Sequence, residues 1–425
     1  MELNQQDNNR ATRQWWRSPW SYRESIAVVL GFLLVGVVLQ ISIGAFDYDI
    51  IRFPMNIVVL CAVLFVVLLF SLKQQSAFFL WLSGVSLSIS ILAVMLLLTL
   101  IMGLTIQAPA SQSGHHLLGF DTMTRSWPFV LFYLLLVVNL SSVTLRRLLR
   151  FTWRDYAFYL NHLGLLVLLF AAGLGASDLR RYVMHVEEGA TEWRVYSETG
   201  DVLELPLAIQ LNDFRMEEYA PSLAVIDRNT GDAYPAGNPQ MWQIDTLRPT
   251  ARIGEYEIKL TDYIEEAVRN ADSTYRQVPM PGSTQAAEVE VTLPNQPNKL
   301  SGWISGGNYA QLYMTLALTD QHILVMTSPE PSLFQSDIVV YTKDEKALPF
   351  ILEVNKPMKV GPWTIYQYGY DNDRGKASGY SSFELVYDPW LPAVYVGIIL
   401  FLLGSILLLW EGSKKAKIKR NAKLG

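Results

Sequence analysis

The chain has 425 residues, of which 51% are hydrophobic, and its 34 Lys and Arg against 39 Asp and Glu give a net charge of −5. A single cysteine, Cys61, excludes a disulfide framework, and with no C-x-x-C the chain cannot carry out thiol–disulfide exchange alone. The acidic balance, with no basic domain, excludes nucleic acid as a partner.

The first 25 residues form a basic tail with Arg10, Arg13, Arg17 and Arg23 set among Trp15, Trp16 and Trp20. Runs of the roughly 20 apolar residues that a bilayer crossing needs follow at 26–45, 54–72, 77–104, 127–145, 157–176 and 391–410. The first is read as a retained span, because its length exceeds a usual signal core and no clear A-x-A site follows. Cys61, in the second, reads as a small buried hydrophobe. His115 and His116 lie in the 105–126 loop. Adjacent side chains on a regular element point to different sides, so this pair reads as solvated rather than as a two-histidine site.

Between the fifth and sixth runs, 177–390 is too polar to enter a bilayer. Short alternating or β-branched stretches recur at 205–211, 222–227, 256–263, 287–293, 312–319, 322–327, 337–342, 349–354, 363–370 and 382–387, divided by turn signals such as NTGD, SGGN and DNDRG. A sandwich-like antiparallel domain is predicted. No fixed-period repeat or low-complexity tract interrupts it. With the N-terminus inside, fifteen Lys and Arg fall on the inner side, including Lys73, Arg146, Arg147, Arg150, Arg154 and the KKAKIKR tail. Only Arg52 and Arg125 fall on the short outer loops.

The predicted fold is therefore an integral membrane α-helical protein with six spans and a large, mainly β extracytoplasmic domain. Its parts are a cytoplasmic tail (1–25), three N-terminal spans (26–104), an extracytoplasmic loop (105–126), spans four and five (127–176), the β-rich domain (177–390), the final span (391–410) and a basic cytoplasmic tail (411–425). Both termini are expected in the cytoplasm. Trp20, Trp127, Trp153, Tyr156 and Trp390 sit near span boundaries, where indole and phenol rings favour the headgroup layer.

The chemistry is concentrated in few residues. His162 lies within the fifth apolar run, and an ionisable, metal-binding side chain at that depth is a functional-site candidate. It reads either as an axial haem ligand or as a neutral side chain hydrogen-bonded to a neighbour such as Asn161 or Asn139. Gly164, Ala171, Ala172, Gly173 and Gly175 would let another helix or a flat ligand approach closely. His185 and His322 have no Cys, His or paired acid at metal-ligand spacing. Glu217, Glu218, Glu265 and Glu266 read as a solvated face. Walker A, G-x-S-x-G, H-E-x-x-H and kinase motifs are missing.

Five segments resemble the ResB (CcsB) family of cytochrome c biogenesis proteins: 126–148 (SWPFVLFYLLLVVNLSSVTLRRL), 161–175 (NHLGLLVLLFAAGLG), 204–219 (ELPLAIQLNDFRMEEY), 354–371 (VNKPMKVGPWTIYQYGYD) and 387–410 (YDPWLPAVYVGIILFLLGSILLLW). The family's VN-x-P and IYQ-x-x-YD elements are present as Val354, Asn355, Pro357, Ile365, Tyr366, Gln367, Tyr370 and Asp371, and its D-P before the last span as Asp388 and Pro389. The resemblance spans about 120–425. The family's common form has four spans, so extra hydrophobic segments precede the recognisable part here, and the Trp-rich haem-presenting loop of the partner family is not visible.

The resemblance implies a System II component of the cell inner membrane, working with a CcsA-type multispanning partner. Haem b would be handled transiently, shared with that partner and exported for covalent attachment to apocytochrome c, whose thiols a thioredoxin-like reductant keeps reduced. His162 matches the family's intramembrane histidine, an axial ligand for the haem iron, and no catalytic residue is implied. The chain would be a non-catalytic or co-catalytic subunit of the attachment complex. A dihaem cytochrome b would need four intramembrane histidines and only His162 qualifies. A haem-free scaffold, or a sensor with a ligand-binding β domain, is the other reading.

Overall fold

The computed structural model describes residues 18–108, 117–294 and 299–421, with side chains to Trp410. His115, His116, Trp15, Trp16 and the arginines at 10, 13 and 17 lie outside the described residues. Two compact units emerge, one formed by the chain up to Arg180 with the segment from Tyr387 onward, the other by Arg181–Val386.

The first unit is helical, with α1 (Tyr22–Ile43), α2 (Met55–Ser71), α3 (Ala77–Leu82), α4 (Val85–Leu104), α5 (Trp127–Leu148), α6 (Tyr156–Gly175) and α7 (Leu391–Asn421). Among the described residues, five helices are long and apolar enough to cross a membrane: Tyr22–Ile43, Val85–Leu104, Trp127–Leu148, Trp153–Gly175 and Leu391–Trp410. The second apolar run is a shorter helix of 17 residues. The third divides, because Ser83 and Gly84 end α3 and begin α4. Local chemistry sets the other boundaries. Ser126 caps α5 by accepting from the Phe129 amide, Pro128 occupies its first turn, and Arg146 and Arg147 complement the carbonyl end.

The bundle interior is a mixture of apolar packing and polar ties. Leu87, Ile91, Met123 and Phe132 form its fully buried centre. Asn139 donates to the Leu82 carbonyl (2.6 Å) and accepts from Ser88 (2.9 Å), while Trp81 Nε1 donates to Ser25 Oγ (2.9 Å). Each such bond satisfies a group for which hydrocarbon offers no partner. α6 and α7 pack so closely that a Cβ at Gly397 would lie 2.7 Å from the Leu168 amide nitrogen. Cβ atoms at Gly164 and Gly404 would meet the backbone of Phe401 and Asn161. The glycines beside His162 thus receive a helix of the same chain. Cys61 departs from the buried reading: it is exposed on the outer face of α2.

The second unit is built from β1 (Arg180–Glu187), β2 (Thr191–Tyr196), β3 (Val202–Glu218), β4 (Ser222–Asp227), β5 (Met241–Gln243), β6 (Thr250–Ile253), β7 (Tyr256–Arg269), β8 (Tyr275–Gln277), β9 (Thr284–Thr292) and β10 (Lys299–Ser305), then β11 (Leu316–Ala317), β12 (His322–Met326), β13 (Pro331–Thr342), β14 (Ala347–Glu353), β15 (Met358–Val360), β16 (Trp363–Tyr370) and β17 (Tyr380–Tyr387). A five-stranded sheet, β10-β9-β7-β6 with β8 paired to β7, faces a four-stranded sheet, β11-β12-β4-β5. Their inner faces share one core containing Tyr256, Ile258, Val289 and Val291 from the first and Leu223, Val225 and Leu324 from the second. This half is the predicted sandwich.

The other half is an eight-stranded sheet in the order β14-β13-β3-β2-β1-β17-β16-β15. Its two edge strands, β14 and β15, are consecutive in the chain and joined by the short Val354–Pro357 turn. The edges must therefore lie together, and the sheet curls nearly into a barrel around Met184, Ile209, Leu211, Val340, Leu352, Ile365 and Phe383.

Candidate functional site

α6 carries His162 one turn after Phe158, and residues four apart share a helix face. The two rings stack, with centroids 3.7 Å apart and planes 27° apart. On the same Phe158 ring sits the guanidinium of Arg147, 4.4 Å from the centroid. Arg147 comes from the end of α5 and forks onto Asp155, the residue before α6, at 2.8 and 3.2 Å. Thr152 Oγ1 donates to the same carboxylate at 2.7 Å. The layers are therefore guanidinium, phenyl and imidazole, fixed at their outer end by an ion pair.

Neither asparagine considered as company for His162 reaches it. Asn161 donates to Ser405 Oγ of α7 at 2.8 Å, and Asn139 is taken up by Leu82 and Ser88. His162 Nδ1 is buried and has no hydrogen-bond partner; the Phe158 carbonyl one turn back interacts with the ring without meeting hydrogen-bond geometry. A buried polar atom in that state is costly.

These features suit one axial bond to a haem iron. Ligation uses a ring nitrogen at the edge of the imidazole, and the Phe158 stack covers a face. Metal-ligating histidines ordinarily pass their other N–H to an acceptor. Here no such acceptor is found among the described residues, and the ring is restrained by its stack on Phe158. Among the described residues no group of three or more His, Cys, Asp or Glu could hold a metal ion.

The remaining described histidines are engaged. His322 Nδ1 shares a 2.8 Å hydrogen bond with the hydroxyl of buried Tyr256 and packs on Tyr234, which makes it part of the sandwich core. His185 Nδ1 shares a 2.8 Å hydrogen bond with Ser382 Oγ and lies between Tyr196 and Tyr380, on an open groove of about 650 Å³ that includes Glu187, Glu192 and Arg194. The bidentate contact from Arg194, at 2.8 and 2.6 Å, holds the Glu192 carboxyl down to about 2.

Sequence reasoning missed Asp178. It is buried just beyond α6, and it accepts from the Phe53 amide (2.8 Å), Asn56 Nδ2 (2.7 Å) and Trp390 Nε1 (2.8 Å). One carboxylate thus ties the start of α2, the end of α6 and the start of α7. The signal present in the sequence was an Asp at the end of an apolar run, which alone is unremarkable. Trp390, expected as an interfacial anchor, spends its N–H here. Trp127 packs edge-on against Phe46, whereas Trp153 is 81% exposed.

The motif residues of the 354–371 segment have structural roles. Asn355 sits at φ 63°, in the left-handed region that Asn tolerates better than most residues, and makes the turn between the barrel's two edges. Ile365 is in the barrel core, and Gln367 accepts from Ser336 (2.8 Å) and donates to Ser381 (2.7 Å). Asp371 accepts from the amides of Asp373 and Arg374, shaping the turn after β16.

No curated protein matches this chain. The family-model match lies in the β-rich unit and does not reach α6, so His162 stands on its own geometry. Residues 287–379 match the model of the ResB-like family, which is consistent with a ResB/CcsB family member.

Proposed function

We propose that this protein handles haem in the membrane for cytochrome c biogenesis, with His162 giving one axial bond and a CcsA-type partner giving the other. The ResB-like family is associated with cytochrome c biogenesis. The observation that carries the reading is an ionisable imidazole, stacked on Phe158, within an apolar helix long enough to cross a bilayer. Haem is cargo here. Bound, it would be transferred onward for attachment to an apocytochrome c kept reduced by a thioredoxin-like protein. The proposed placement is the cell inner membrane with six crossings, both ends of the chain in the cytoplasm and the β-rich unit outside. The basic residues gathered at one set of loop ends support that orientation.

A low-spin haem needs two axial ligands, and this chain offers one candidate. The full-length chain purified alone should carry little haem, and co-purified with its CcsA-type partner it should show a Soret band. His162→Ala should remove most of that band and lower c-type cytochrome yield, with exogenous imidazole restoring part of both. An unchanged spectrum and yield in His162→Ala would remove the basis for the reading.

A further inference from the structure

We infer that Phe158 and Arg147 are positioning residues for His162, a stack that fixes the plane of the imidazole in place of the hydrogen bond its Nδ1 lacks. The inference rests on His162 being an axial ligand, as proposed above. An imidazole that coordinates iron must be held against rotation about its side-chain bonds, and the usual device is a hydrogen bond from the non-ligating nitrogen. Among the described residues Nδ1 has no such bond. What restrains the ring is a stacked phenyl, its centroid 3.7 Å away and its plane tilted by 27°.

The phenyl is itself restrained from a second helix. Arg147 lies over it at 4.4 Å, and the planar guanidinium is oriented by its two bonds to Asp155. Asp155 is in turn held by Thr152. A change where α5 meets the start of α6 would therefore be felt at the imidazole through two rigid planar groups. Arg is required for this rather than Lys, because a flexible ammonium can neither stack flat nor fork onto a carboxylate.

The test uses the full chain co-expressed with its CcsA-type partner, reading membrane protein level, haem per complex, the absorption spectrum and the reduction potential. Phe158→Leu keeps apolar volume but has no flat face. It should lower haem occupancy by about tenfold, the lower range for loss of a group that orients a metal ligand, and shift the spectrum toward five-coordinate haem. Imidazole should restore the six-coordinate form. Phe158→Tyr should retain the native spectrum, which separates stacking from general disruption of the helix. Arg147→Lys should give a smaller change of the same kind, visible in the reduction potential at unchanged protein level. If His162→Ala loses haem while Phe158→Leu and Arg147→Lys match the parent in occupancy, spectrum and potential, the positioning role is overturned and the haem reading stands. If His162→Ala keeps its haem, both fall.

Discussion

A single buried carboxylate can decide how three helices end, and Asp178 is the case in this protein. Burial alone would raise its pKa. The Phe53 amide, Trp390, Asn56 and nearby Arg180 outweigh that effect and hold the carboxyl below its ordinary range. Asp178→Ala would leave three donors without an acceptor, for an expected loss of about 2–3 kcal/mol, and Asp178→Asn should lose less. Thermal unfolding in detergent checks both. The sign of the pH effect follows from the depressed pKa. The stabilisation is complete above the unfolded-state value and is lost as pH falls through the lower folded-state value. The advantage of the parent over Asp178→Asn should therefore shrink below about pH 4; an advantage that stays constant down to pH 2 would count against an ionised latch. Residue-level chemistry was legible only where composition made a residue unusual. His162 stood out as an imidazole among apolar neighbours. Asp178 did not, because its partners lie 125, 122 and 212 positions away.

At the scale of elements, the tightest contact is between α6 and α7, where glycines at 164, 397 and 404 bring one backbone against another. A side chain at Gly404 would press on the backbone of Asn161, which cannot rotate aside. Gly404→Leu should cost about 1–3 kcal/mol by overpacking and break the Asn161–Ser405 bond, whereas Gly31→Leu, with open space around its Cβ position, should be nearly neutral. Equal melting temperatures for the two variants would refute the close-approach account. Small residues near His162 were readable as a site of approach, but not which surface approaches, since glycine spacing names no partner. Strands were legible where a short apolar, β-branched or aromatic run stands between turn signals, as in β4 at 222–227 and β16 at 363–370. β1 and β2 escaped, because RRYVMHVE and TEWRVY present so many charged and exposed positions that periodicity is masked. The expected strand at 312–319 reduces to Leu316–Ala317, where only two residues pair with β12.

For the molecule as a whole, the number of crossings before the β-rich unit decides which side that unit occupies, and the short helix α2 is the one in question. Hydrogen bonds sort the helix ends into two groups. The end of α1, the start of α5 and the end of α4 meet through Phe46–Arg125, Gln40–Trp127 and Gln107–Met123. Tyr48 joins that group to the loop before α2 by donating to the Thr124 carbonyl, and Asp178 and Ser177 add the start of α2 and the end of α6. At the opposite end, Ser25 binds Trp81 and Ser86, while Arg146 reaches Ser83. Five residues after α2, α3 begins in this second group. α2 therefore runs from one end of the bundle to the other, although 17 residues rise only about 25 Å. In the six-crossing placement proposed above, a helix that short crosses with local thinning of the bilayer, at a modest cost. Its outward-facing Cys61, the sole cysteine, then lies among acyl chains and should resist a membrane-impermeant maleimide until the bilayer is dissolved. In a Cys61→Ser background, Asp47→Cys should label from outside intact cells, and Gln75→Cys only after the membrane is opened. Labelling of both positions from the same side would mean that α2 does not cross, and would place the β-rich unit on the same side as the residues preceding α1.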